Sequence, residues 1–107
     1  MKSKLKIPVS FSILGQTISV KSKDDITYFD DNRAVWRSRE NTIYLQPASK
    51  DTPMPPEMIE QAFCHEVIHC MFDFAERPRL SKDEALVNLL GGLLHQVLTT
   101  AEYGRSK

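Results

Sequence analysis

Over residues 4–14 apolar side chains fall at every second position, Leu5, Ile7, Val9, Phe11 and Ile13. That is the period of a strand with one face buried. Gly15-Gln16 offers a tight turn, and residues 17–21 return with Ile18 and Val20 as a second strand. Asp24-Asp25 and Asp30-Asp31-Asn32 carry turn chemistry on either side of a short strand over 26–29. Ala34–Arg37 and Thr42–Leu45 bracket residues 38–41 and predict a hairpin. Connections this short leave no room for crossover helices, so the pattern predicts a mostly antiparallel sheet.

The period changes in the second half. Residues 47–56 hold Pro47, Pro53, Pro55 and Pro56 beside Ser49, Asp51 and Thr52, which reads as a linker. Pro55 or Pro56 suits the first turn of a helix, where a missing N–H is no loss. That helix runs to about Ala75 and is stopped at Arg77-Pro78. Ser81 opens a second helix that reaches about Ala101, with Leu86, Val87, Leu90, Leu93, Leu94, Val97, Leu98 and Ala101 on its apolar face. The expected fold is α+β: a mostly antiparallel sheet followed by two long packed helices, one domain over residues 1–107.

Composition narrows the function classes. Apolar residues make up 41% and charged residues 26% of the 107, which excludes a disordered chain. Fourteen Lys and Arg balance fourteen Asp and Glu, so charge supports neither a nucleic-acid nor an anionic-membrane partner. Arg33, Trp36, Arg37 and Arg39 read as a solvated hairpin, not a nucleic-acid patch. No apolar run approaches the roughly 18–20 residues of a membrane span. The basic start meets Pro8 and Ser10 before a signal-peptide core can form, so a cytoplasmic protein is expected. Cys64 and Cys70 lie about 9 Å apart along one helix, beyond the roughly 7 Å a disulfide spans. Free thiols suit a reducing compartment, with a bond between chains left open.

The first helix carries His65-Glu66-Val67-Ile68-His69, the pattern HExxH. Two His at i and i+4 share a helix face and can reach one metal ion. Glu66 projects roughly 100° round the helix from His65, near such an ion without having to bind it. Metal-assisted hydrolysis needs this set: Zn²⁺ lowers the pKa of a bound water and a neighbouring carboxylate takes its proton. With 3 His in the chain, chance gives this arrangement in roughly 0.5% of such sequences. The helix around it is apolar on nearly every side, as a helix buried in a small core must be.

A catalytic zinc needs a third protein ligand. The second helix offers Glu84, with Asp83 beside it and His95 further along. Glu84, Asn88, Gly91 and His95 form one stripe at the edge of the apolar face. Gly91-Gly92 costs roughly 1 kcal/mol per Gly against Ala in mid-helix, which makes sense if a backbone or a substrate comes close, or is simply tolerated. Ser81-Lys82-Asp83-Glu84 also spells S-x-x-E, a capping box. Whether Glu84 caps the helix or binds the metal stays open at this level. Asp73, one turn past His69, is a candidate to orient that imidazole. His95, Tyr44 and Tyr103 are candidates to steady an oxyanion.

Residues 63–70, FCHEVIHC, followed by residues 83–90, DEALVNLL, resemble the small gluzincin-type metallopeptidases, in particular the ImmA/IrrE-like group and related short HExxH proteins of phages and prophages. The resemblance covers residues 42–98. It implies zinc, His65 and His69 as ligands, Glu66 as base, Glu84 as third ligand and Asn88 four residues on as part of the pattern. It also implies an edge strand, here Thr42–Leu45, that holds an extended substrate by strand addition. Ile68 departs from the family, standing where many zincins carry Gly. The expected function is zinc-dependent hydrolysis of peptide bonds in an intracellular protein or peptide, such as a phage or host regulator. The alternative is a non-catalytic, zinc-stabilised protein-binding module.

Overall fold

Leu14 and Gly15 both take positive φ, 48° and 78°, the two-residue turn whose twist matches that of the strands it joins. It folds β1 (Ser10–Ile13) back onto β2 (Gln16–Ser22), with Ile13 opposite Gln16. The computed structural model describes residues 5–23, 33–47 and 55–104. The expected strand over 26–29 and most of the proline-rich linker lie outside them. The first strand is shorter than its alternation predicts. Pro8 has no N–H to give a ladder, and Val9 is exposed while its carbonyl accepts from Val20 N. Leu5 and Ile7 still pack on the core from outside the sheet.

The hairpin forms where predicted. β3 (Ala34–Arg37) and β4 (Thr42–Leu45) pair antiparallel with Trp36 opposite Ile43. A single 3₁₀ turn, Ser38–Glu40, joins them, closed by Asn41 in the left-handed region at φ 49°. Asn tolerates that conformation because its short polar side chain bonds locally. β4 then enters the sheet beside β2 and runs parallel to it, Val20 opposite Ile43. The order is β1-β2-β4-β3. Two of the three pairings are antiparallel as expected, and the third is parallel because β3, a strand rather than a helix, makes the crossover. Thr42–Leu45, expected at an edge, is therefore interior, and the edges of the sheet among the described residues are β1 and β3.

α1 (Pro56–Phe74) begins with Pro56 at its first position. It ends in paired capping bonds, Glu76 N to Asp73 O and Arg77 N to Phe72 O, with Glu76 at φ 57°, the Schellman arrangement. A short helical turn, α2 (Pro78–Ser81), leads to α3 (Glu84–Thr100). The second long helix therefore starts three residues later than predicted from Ser81. Its cap is Asp83, whose Oδ1 accepts from Leu86 N at 3.1 Å.

α1 packs against β3 and β4 on one side and against α3 on the other, so its apolar surface has two partners. Ile18, Ile43, Leu45, Phe63, Cys64, Val67 and Cys70 form the core, with the Phe11 ring edge-on to Phe63 at 6.4 Å. Leu93 and Val97, expected on the buried face of α3, are instead 49% and 61% exposed beside Leu89. α3 buries Val87, Gly91 and His95 and packs Leu94 and Leu98 partly against the core, which leaves its opposite side uncovered by the described residues. Among the described residues, no helix is long and apolar enough to cross a membrane.

Candidate metal centre

His65 and His69 stand one turn apart on α1, and their ring centroids are 4.9 Å apart. Because Asp83 caps α3, Glu84 is the first residue of that helix and projects across to them. Glu84 Oε1 lies 3.2 Å from His65 Nε2, and Oε2 lies 3.4 Å from His69 Nε2. One donor atom from each of the three falls within 4.8 Å of the others. Bonds of about 2.0–2.1 Å in a tetrahedron put neighbouring donors about 3.3 Å apart. The two His-to-Glu distances are of that size, each to a different oxygen of Glu84, so the three side chains could hold a metal ion such as zinc. The imidazoles are 23% and 17% exposed and the Glu84 side chain 63%, which leaves the centre open to solvent on the Glu84 side.

Ser81 is not the cap that S-x-x-E suggests. It ends α2, and its Oγ sits 2.9 Å from His69 Nδ1. With Nε2 turned to a metal, the ring proton belongs on Nδ1 and is donated to that hydroxyl, fixing tautomer and ring orientation together. Burial pulls the His69 pKa below its usual value, partly opposed by the Glu84 charge. The neutral ring, which can lend a lone pair, is thereby favoured.

Glu66, next after His65 on α1, reaches the backbone of Trp36 on β3 and feels the charge of Glu84. Burial pushes its carboxyl up to about 7, a backbone hydrogen bond from Trp36 works against the rise, and the Glu84 charge adds to it. Trp36, expected in a solvated hairpin, is instead half-buried. Its indole N–H donates to Asp73 Oδ2 at 2.6 Å, and its ring lies against Phe74 at 6.3 Å. Gln46 N donates to Arg33 O at 2.9 Å. By antiparallel alternation the backbone groups of Ala34 and Trp36 then point away from β4, along the outer edge of β3.

The remaining candidates lie elsewhere. Asp73 is taken by Trp36, and Ser81 holds His69 in its place. His95 is buried near the far end of α3, with Nε2 2.8 Å from Glu60 Oε1, and cannot steady an oxyanion at the centre. Asn88 is exposed one turn after Glu84, and its side chain makes no hydrogen bond to the described residues. Tyr44 donates to Glu40, and Tyr103 is 83% exposed beyond α3. Asp83 spends its carboxylate on the cap. Cys64 and Cys70 are free, buried thiols.

No family model, no curated protein and no solved structure matches the chain. What the site can do is therefore judged on its own residues: two imidazoles and a carboxylate able to hold a cation, and a buried carboxyl beside them at a sheet edge.

Proposed function

We propose that the chain is a cytoplasmic, zinc-dependent metallopeptidase of the gluzincin type, cleaving an intracellular protein or peptide. One observation carries this: Glu84 meets both His65 and His69 across two helices at a spacing suited to tetrahedral zinc. The HExxH pattern alone gives two of the three ligands, and packing supplies the third.

His65, His69 and Glu84 would hold the zinc ion, which when bound would supply a Lewis acid that lowers the pKa of a water. Glu66 takes the proton from the attacking water and delivers it to the leaving amine. Trp36 N–H steadies Glu66 from β3, so base and sheet edge are held in one frame. An extended peptide lying along β3 would meet the outward backbone groups of Ala34 and the carbonyl of Trp36, whose N–H Glu66 already holds. His69 is kept in register by Ser81.

The test is metal content and cleavage together. Wild type is expected to hold about one zinc per chain, and Glu84→Gln much less. Glu66→Gln is expected to keep the metal and lose cleavage of a peptide library. Cleavage by Glu66→Gln at the wild-type rate overturns the mechanism, and no zinc in wild type after zinc addition overturns the reading. The exposed Leu89, Leu93 and Val97 of α3 favour, as a second reading, a zinc-stabilised binding module. Zinc without cleavage would move it to the front.

A further inference from the structure

Two adjacent glycines sit in the middle of α3, and their surroundings differ. A Cβ built on Gly91 would meet His65 Cα at 3.1 Å, His65 N at 3.2 Å and Cys64 C at 3.6 Å. One built on Gly92 would meet nothing within 4 Å. The atoms facing Gly91 are the backbone of a packed helix, which cannot swing aside as a side chain can. Helix axes pack about 8–10 Å apart according to the side chains at the crossing, and at Gly91 there is none.

The crossing falls on the candidate metal centre. His65, whose imidazole faces Glu84, is the same residue whose Cα touches Gly91. Glu84 precedes Gly91 by seven residues, two turns, so both lie on one stripe about 10 Å apart along the axis. Further along that stripe His95 reaches Glu60. The helices are therefore antiparallel, pinned at one end by a buried pair, in contact at Gly91, and delivering Glu84 at the other end. An added methyl at Gly91 has to lift α3 by a few tenths of an ångström before contact distances become ordinary. Ligand distances in a metal site tolerate only about 0.2 Å.

We propose that Gly91 is a positioning residue of the metal centre: its missing side chain sets how far Glu84 stands from His65 and His69. This rests on the metallopeptidase reading above only in taking those three as ligands. It makes the two glycines unlike in a way that composition and helix propensity do not.

The experiment compares Gly91→Ala and Gly92→Ala with wild type. Zinc affinity is read by competition with a chromophoric chelator, and the melting temperature is read on metal-free protein. Cobalt substituted for zinc reports ligand geometry through its visible spectrum. Gly92→Ala is expected to bind zinc as wild type does and to melt about 4 °C or more higher, since alanine is the better helix former and meets no obstacle. Gly91→Ala is expected to bind zinc at least tenfold more weakly, with an altered cobalt spectrum, a change that lost packing alone would not produce in folded protein. Gly91→Ala binding zinc within twofold of wild type overturns this proposal and leaves the metallopeptidase reading standing. Wild type binding no zinc overturns both. If Gly91→Ala does not fold, the double variant Gly91→Ala/Gly92→Ala, with the second alanine's helix preference, replaces it. Failure of both to fold, with or without zinc, makes Gly91 a packing residue of the whole helix pair and overturns its assignment to the centre.

Discussion

His95 on α3 and Glu60 on α1 meet in the interior, Nε2 to Oε1 2.8 Å, with 7% and 2% of their surfaces exposed. Glu60 Oε2 has no hydrogen-bond partner among the described residues. A buried carboxylate with one oxygen unserved depends heavily on the partner it does have. His95→Leu strands that group and is expected to cost about 3–5 kcal/mol. The double replacement Glu60→Leu/His95→Leu removes the stranded group and should cost less than the sum of the single changes. Urea unfolding of the four proteins closes the cycle. A cost below about 1 kcal/mol for His95→Leu would mean that the pair contributes little.

Asp83 takes the capping role that the sequence suggests for Ser81, and Ser81 stands beside His69 where Asp73 was expected, so their alanine variants should separate accordingly. Asp83→Ala removes the α3 cap and is expected to lower stability by about 1 kcal/mol. Ser81→Ala removes the hydroxyl beside His69 and is expected to leave metal-free stability within about 0.5 kcal/mol while weakening zinc binding about 10- to 100-fold. Chemical denaturation and chelator competition measure the two effects. Equal zinc affinity in Ser81→Ala and wild type would remove Ser81 from the centre.

Burial pushes the thiols of Cys64 and Cys70 up to about 11, with the charges of Glu60 and Asp73 respectively adding to it. A thiol held neutral in the folded state adds stability below its unfolded value of 9.0. That contribution is lost as pH rises from there toward 11. At pH 8 alkylation should be slow in native protein and fast in urea. Between pH 9 and 11 the melting temperature should fall more steeply in wild type than in Cys64→Ala/Cys70→Ala. Parallel curves for the two proteins would contradict the shifts.

Trp36→Phe keeps an aromatic ring against Phe74 and deletes the indole N–H that serves Asp73. The expected loss is about 1 kcal/mol, in the range of a single hydrogen bond partly open to water. Since β3 also steadies Glu66, peptide cleavage should fall by more than stability alone explains. An unchanged cleavage rate in Trp36→Phe would uncouple the indole from the base.

Local signals carried the hairpin, both long helices and the HExxH face, because each is written in contiguous residues: alternation, a 3.6-residue period, Pro56 at a helix start. What the local pattern could not show depends on where elements meet. Whether β4 lies inside or at the edge is decided by β2, some twenty residues earlier. S-x-x-E places the cap at Ser81, but the extra turn of α2 takes up Ser81 and leaves the cap to Asp83. His95 shares the stripe of Glu84, yet its partner Glu60 sits five residues before His65, at the opposite end of the helix crossing. Asp73 has the right spacing to serve His69, and Trp36 from the sheet reaches it instead.

Glu84 of the candidate centre lies fifteen positions beyond His69, and the parallel pair of β2 and β4 joins Val20 to Ile43, twenty-three positions on. That difference in closure is worth less than about 0.6 kcal/mol, but the two helices are built from contacts four residues apart, which form fastest. The helical hairpin is thus expected to assemble early in folding and the parallel strand pair late. A metal added during refolding would then be captured before the sheet beside it is complete.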